Sequence, residues 1–208
     1  MLRQSDFIVP CSPVQRGWPP TGDAWLHEVK FDGWRVQLHK NKRGATVFTR
    51  TGHDYTKRFP AIAAAVAALP IQSAIIDGEL TACDCRGVPD FRALHFRNVR
   101  EDELCVWTFD ILHLNGVDVR EVPLTDRKYA LEKIIYKASD HTLRLSETFD
   151  DGETLLASCE QMGLEGIVSK RRNFPYRSGA ADWVKVKCAS WREANKDRGE
   201  LFNKDKRR

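Results

Sequence analysis

No apolar run in the 208 residues approaches the ~20 positions that a membrane-crossing helix needs, and Met1 to Asp6 is too polar for a signal peptide. The expectation is a cytoplasmic protein with no membrane partner. The sequence also has no paired Cys-x-x-Cys motifs. Its six cysteines, at 11, 83, 85, 105, 159 and 188, are scattered, which argues against a zinc ribbon or a disulfide scaffold and for partly buried thiols in a reducing compartment. Cys83-Asp84-Cys85 with the distant His95 is the only zinc-like spacing, and it is a weak ligand set. There is no internal repeat. A strong charge imbalance is missing too: the net charge is +4, so composition alone does not establish nucleic-acid binding.

What is present suits a globular fold. Hydrophobic residues make up 42% and charged residues 30%, enough at this length for one domain or two tightly joined lobes. Basic residues gather at Lys40-Asn41-Lys42-Arg43, at Lys170-Arg171-Arg172 and at Lys204-Asp205-Lys206-Arg207-Arg208. Each cluster can meet phosphates, and each also reads as a solvated face.

Prolines 10, 13, 19 and 20 predict an extended lead-in over residues 7 to 23. Strands are expected at Trp25 to Phe31, Trp34 to His39 and Ala45 to Arg50, with Asp32-Gly33 and Lys42-Arg43-Gly44 as hairpin turns. A helix should start at Pro60, bury Phe59, Ile62, Val66 and Leu69, and stop at Pro70. Ser73 to Ala82 reads as a strand interrupted at Asp77-Gly78-Glu79, and Leu104 to Leu112 as another strand. A helix over Leu124 to Lys137 and a strand at Thr142 to Leu145 follow. A third helix starts at Asp151, with Asp150 and Glu153 as its capping box and Gly163 as its C-terminal cap. Strands at Glu165 to Arg171 and Trp183 to Cys188 complete the pattern. Helices mixed irregularly among hairpin strands predict an α+β fold.

Chemistry concentrates in six short stretches. Lys30 precedes Asp32-Gly33 and Arg35; a lysine becomes nucleophilic when burial and neighbouring cations lower its pKa, whereas a carboxylate such as Asp32 raises it. Arg50 ends a strand before Thr51-Gly52, where a guanidinium can grip a phosphate. Asp77-Gly78-Glu79 offers carboxylates, Phe109-Asp110 a ring for stacking, and Glu165 to Lys170 a carboxylate, an apolar wall and a cation. Lys185 and Lys187 alternate on one strand and so share a face. Singly, each has a bland reading as turn, core or solvated strand. Together they suit a nucleoside triphosphate with its divalent cation.

Lys30-Phe31-Asp32-Gly33-Trp34-Arg35 resembles motif I of the covalent nucleotidyltransferases, which include ATP-dependent DNA ligases, RNA ligases and capping enzymes. Thr49-Arg50-Thr51-Gly52, Asp77-Gly78-Glu79-Leu80, Phe109-Asp110, Glu165 to Lys170 and Trp183 to Lys187 resemble the motifs that follow, in the same order. Glu165-Gly166-Ile167-Val168-Ser169-Lys170-Arg171-Arg172 and Pro175-Tyr176-Arg177-Ser178-Gly179 are most similar to the ligase domain of bacterial end-joining DNA ligases. The likeness runs from about residue 10 to residue 188.

The resemblance implies an ATP-grasp-like adenylation domain of mainly antiparallel sheets with flanking helices. It implies that Lys30 attacks the α-phosphorus of ATP and carries AMP, with Asp32 orienting groups beside it. Glu28 would accept from the adenine amino group, Val29 would line the base site, and Phe109 would stack on one face of the ring with Ile167 or Val168 on the other. Arg35, Arg50 and Glu79 would hold ribose and phosphate oxygens, with Lys170 as a further phosphate contact. Glu165 and Glu79 would place magnesium or manganese, and Lys185 and Lys187 would neutralise the α-phosphate. AMP would then pass to the 5′-phosphate of nicked or broken double-stranded DNA, with the chain as a monomer and a Ku-like end-binding protein as a partner.

Residues 1–188 would form this domain. Ala189 to Arg208 is too short for the OB-fold that such ligases carry and is expected to be a charged helix and tail. Two other readings stay open: a nucleotide- or DNA-end-binding accessory protein, and transfer to RNA.

Overall fold

In the computed structural model, which describes residues 7–83, 89, 91–96, 99–138 and 141–196, the strands form two sheets. The first holds four strands in the order β1 (Pro13–Gln15), β10 (Trp183–Lys187), β9 (Gly166–Arg171) and β2 (Trp25–Lys30). The second holds six. β4 (Gly44–Thr49), β3 (Trp34–Asn41), β5 (Ala74–Ala82), β6 (Leu104–Leu114) and β7 (Val117–Asp118) lie in that order, and β8 (Leu143–Leu145) pairs with β6. Among the described strands only β1 with β10 and β8 with β6 run parallel, which bears out the α+β expectation.

Helices cover the outer faces. α1 (Pro60–Ala68) and α3 (Leu124–Tyr136) pack on the six-stranded sheet, and α4 (Gly152–Gln161) packs on the four-stranded one. The short α2 (Phe91–Phe96) packs on β5, and α5 (Ala189–Ala194) follows β10. The periodicity around α1 is borne out: Phe59, Ile62, Val66 and Leu69 are all buried. Each such side chain contributes roughly 1.5–3 kcal/mol relative to exposure. A smaller cluster joins the two sheets, with Ile75 and Leu112 on one side and Trp183 on the other, around Tyr176.

Three local expectations are corrected. The first concerns Asp32-Gly33, which does not close a hairpin. β2 pairs with β9 and β3 pairs with β4 and β5, so residues 31–33 carry the chain from one sheet to the other. Gly33 makes that crossing feasible, because a Cβ there would stand 2.2 Å from the Leu80 carbonyl oxygen. The second is β5, which runs unbroken through Asp77-Gly78-Glu79, with a register shift against β6 at Asp77/Gly78. Gly78 permits the close approach, since a Cβ there would lie 2.6 Å from Val106 Cγ1.

The third correction moves the N-cap of α4 from Asp150 to Asp151. Its carboxylate accepts from the backbone N–H of Glu153 and Thr154, both at 3.0 Å. Asp150 instead pairs with Arg172. Gly163, at φ +69°, caps the other end of α4 as expected. The lead-in is mostly irregular but contributes β1 to the sheet edge. The Cys83-Asp84-Cys85 and His95 spacing falls largely outside the described residues.

Candidate active site

The crossing at residues 31–33 leaves β2 and β3 splayed apart, and between their sheets lies a cavity of about 640 Å³. That falls within the roughly 300–1,000 Å³ typical of small-molecule sites. Lys30 opens into it from the last position of β2. Its register partner is Gly166, which also faces Lys187 at the end of β10.

Glu165 stands just beyond these strand ends. It accepts from Lys30 Nζ at 2.6 Å through Oε2 and pairs with Lys187 Nζ at 2.8 Å through Oε1. Gly166 sets this up. Its φ is +147°, and a Cβ would meet the Val186 carbonyl oxygen at 2.1 Å, so only glycine fits. Lys185 lines the same cavity. Its pKa is lowered, first by burial and then by Lys30 and Lys187.

On the facing sheet, β5 presents Glu79 to the cavity. Burial pushes its pKa from 4.5 up to about 7, against the pull of Lys30 and Arg35, with Glu165 and Asp77 pushing the same way as burial. Arg35 is engaged within the protein. Nε and Nη2 grip Asp77 at 3.0 and 2.6 Å, Nη1 donates to the Cys11 carbonyl at 2.5 Å, and Nη2 also reaches the Tyr176 hydroxyl at 3.3 Å. Burial opposes its charge, but Asp77 overcomes that and raises its pKa. The Tyr176 hydroxyl donates to Asp77 Oδ2 at 2.7 Å and accepts from the Cys11 N–H at 3.0 Å. Of the guanidinium's five N–H groups, one on Nη1 remains for a ligand. Arg50 is exposed at the rim, with Ser12 Oγ 3.4 Å from Nη2.

The deep end of the cavity differs in character. Phe109 and Val168 line it together, whereas Ile167 is fully buried on the other face of β9, against Leu155 and Val186 under α4. Alternation along β9 therefore decides between the two expected wall residues: Val168 faces the cavity. Val29 lines it too, although its side chain packs toward the α4 cluster.

Lys170 does not join the lysines beside Lys30. Its Nζ donates to Glu28 Oε1 at 2.9 Å and sits 4.4 Å from the Phe109 ring centre. Burial lowers its pKa, and Glu28 counters this. Glu28 also accepts from Lys128 at 2.9 Å and from the Ser146 hydroxyl at 3.0 Å. Burial raises the Glu28 pKa, but Lys128 and Lys170 overcome that and hold it below the ordinary carboxylate range.

Asp32 does not line the cavity with Lys30. Its Oδ2 accepts from Trp191 Nε1 on α5 at 3.3 Å, and the same indole ring lies 4.0 Å from Lys187 Nζ. Lys128 and Ser146 were not singled out from the sequence, and Asp77 and Tyr176 stood within quoted motifs without a role of their own. Lys128 left a signal: Leu124, Arg127, Lys128, Leu131, Ile134 and Ile135 form the buried face of α3, so two cations sit on an apolar stripe.

Residues 11–187 match the family model described as "ATP dependent DNA ligase domain". The chain is 38% identical over 174 residues to the multifunctional non-homologous end joining protein LigD of Pseudomonas aeruginosa, covering 82% of this chain and 21% of that protein. It is 34% identical over 178 residues to a protein named probable DNA ligase from Mycolicibacterium paratuberculosis, covering 80% of this chain and 34% of that one. The chain thus spans about a fifth to a third of these relatives' lengths.

Among solved structures, it superposes on a mycobacterial DNA ligase D complexed with ATP and MES with a TM-score of 0.76 at 27% identity, covering 86% of this chain and 60% of that chain. The ligase domain of Mycobacterium tuberculosis LigD gives a TM-score of 0.74 at 28% identity, with the same coverage of 86% and 60%.

Proposed function

The chain belongs to the ATP-dependent DNA ligase domain family, and on that premise we propose that Lys30 takes the adenylyl group of ATP and hands it to a DNA 5′-phosphate for strand joining. One observation carries this reading. Lys30 Nζ projects into a cavity of nucleotide size, 2.6 Å from Glu165, with two further lysines beside it.

In the first step the Lys30 amine donates its lone pair to the α-phosphorus. A P–N bond forms, the P–O bond to the β-phosphate breaks, and pyrophosphate leaves with the electron pair. Lys30 must shed a proton to attack, and the hydrogen-bonded Glu165 is placed to take it. Lys185 and Lys187 offset the charge that builds on the phosphate oxygens. Phe109 and Val168 sandwich the base, and Glu28 meets its edge. The DNA 5′-phosphate then attacks the lysyl-AMP phosphorus and releases the Lys30 amine. Finally a 3′-hydroxyl attacks the 5′-phosphorus and AMP departs.

Magnesium or manganese fits the donor chemistry, because Glu165 and Glu79 are the hard oxygen ligands such ions take. No three carboxylate, histidine or cysteine side chains converge among the described residues. Phosphate oxygens and water would therefore complete the shell, and the ion would supply charge neutralisation on the triphosphate.

The substrate assigned is nicked or broken duplex DNA, following the end-joining relative, with a Ku-like end-binding protein as partner. A monomer in the cytoplasm is part of the same reading; large exposed apolar residues such as Trp18, Val117 and Tyr136 lie on separate segments. Residues 1–188 are assigned to the adenylation domain.

Label from the α-phosphate of ATP should stay on the wild-type protein through alkali and leave in acid or hydroxylamine. Label at the γ-phosphate should not be retained, and Lys30→Ala should keep neither. A pre-adenylated nick should be sealed without ATP; a protein that binds that nick and leaves it open would be an accessory factor instead.

A further inference from the structure

Lys128 projects from the apolar stripe of α3 and is 8% exposed. Its ammonium donates to Glu28 Oε1 at 2.9 Å, to the Ser146 carbonyl at 3.0 Å and, more weakly, to the Phe109 carbonyl at 3.5 Å. All three protons are thereby used. One side chain thus ties Glu28 of the four-stranded sheet to the backbone of the ring that faces it from the six-stranded sheet.

Glu28 is held on both oxygens. Oε1 accepts from Lys128 and Lys170, and Oε2 accepts from the Ser146 hydroxyl at 3.0 Å. A carboxylate has about four lone-pair directions, so one remains, on Oε2. Glu28 lines the cavity and is the register partner of Val168. The open acceptor therefore belongs to the edge of whatever flat ring lies between Val168 and Phe109.

We propose that Lys128 and Ser146 are positioning residues that set the base preference of the site: by fixing Glu28 as a carboxylate with one open acceptor, they select a purine bearing a 6-amino donor over a 6-oxo purine. The inference rests on the nucleotide-binding part of the function proposed above. Immobility matters as much as charge. A 6-oxo purine carries an N1–H donor one atom away, so a carboxylate free to swing could serve either base. A pinned one sets its oxygen against the 6-oxo oxygen, acceptor to acceptor.

The test is equilibrium binding of the α,β-methylene triphosphates of adenosine and inosine, which differ at the 6-position and release no pyrophosphate. Titration calorimetry would compare wild type, Lys128→Met and Ser146→Ala. Wild type should prefer the adenosine compound. Lys128→Met should cut that preference about tenfold, the order expected for losing a charge-assisted hydrogen bond. Ser146→Ala should cut it about threefold, and it carries the test by itself if Lys128→Met does not fold.

Wild type without a preference overturns the proposal. So does a variant that weakens both nucleotides equally, which is what a purely structural role would give. Because the readout needs no phosphoryl transfer, an absent lysyl-AMP adduct with the preference intact would overturn the ligase reading and leave this one standing.

Discussion

A Cβ at position 166 would stand 2.1 Å from the Val186 carbonyl oxygen, and the residue's φ of +147° is one that side chains resist. Gly166→Ala should therefore push β9 from β10 and carry Glu165 away from Lys30. We expect a loss of more than ~2 kcal/mol in urea denaturation together with loss of lysyl-AMP formation. Wild-type stability in this variant would show that the strand pair adapts at no cost.

Glu79 offers a pH signature at the same scale. Its pKa is raised from 4.5 to about 7, chiefly by burial, so the folded protein holds a proton there that the unfolded chain releases. The resulting stabilisation is fully present below pH 4.5 and is lost as pH rises toward 7. Glu79→Gln should remove that dependence and be the more stable protein above neutrality, by roughly 1–2 kcal/mol after allowance for partial solvent contact. Parallel stability profiles for the two proteins between pH 5 and 8 would contradict the assignment.

The sequence displayed such residues unevenly. Lys30, Glu79, Glu165 and Lys185 stand in short motifs that a reader can find, and all four meet at the cavity or its end. Asp77 shares a motif with Glu79, yet its engagement with Arg35 and Tyr176 spans 42 and 99 residues of chain, and no local pattern reports that. The choice between Ile167 and Val168 needed the direction of one strand face, which sequence alternation leaves ambiguous by one position.

Elements were legible where their signals were local. Pro60 and the spacing after it located α1, and Gly163 located the end of α4. The crossing between β2 and β3 is not legible locally, because an Asp-Gly pair between two strand patterns is also what a hairpin shows. Only the long-range partners, β9 for one strand and β5 for the other, separate the two cases.

α5 makes its own contribution as an element. Trp191 donates to Asp32 and lies under Lys187 Nζ at 4.0 Å, so this short helix steadies two groups on either side of the Lys30 end. Trp191→Ala should cost about 1 kcal/mol or less in stability. The same change should slow adduct formation several-fold, measured as the single-turnover rate at saturating ATP. An unchanged rate would show that α5 only covers the sheet.

At the scale of the molecule, two sheets meet over a joining cluster and diverge around a cavity whose Lys30 end is cationic. The net charge is only +4, so on the proposed reading attraction to DNA comes from local clusters such as the exposed Lys42 and Arg43 rather than from the whole field. Affinity for nicked duplex should drop more than tenfold between ~50 and ~200 mM salt, and replacing Lys42 and Arg43 by glutamate should flatten that slope in a fluorescence-anisotropy titration. A slope unchanged by the replacements would place the DNA on another face.

On the proposed reading, this architecture makes Lys30 a carrier of AMP. Intact-mass measurement after incubation with ATP and magnesium or manganese reads out that modification. Wild-type protein should gain the mass of one adenylyl group, with no gain in Lys30→Ala. A folded wild-type protein that stays at its unmodified mass with either metal, or a Lys30→Ala protein that still gains the group, would contradict it.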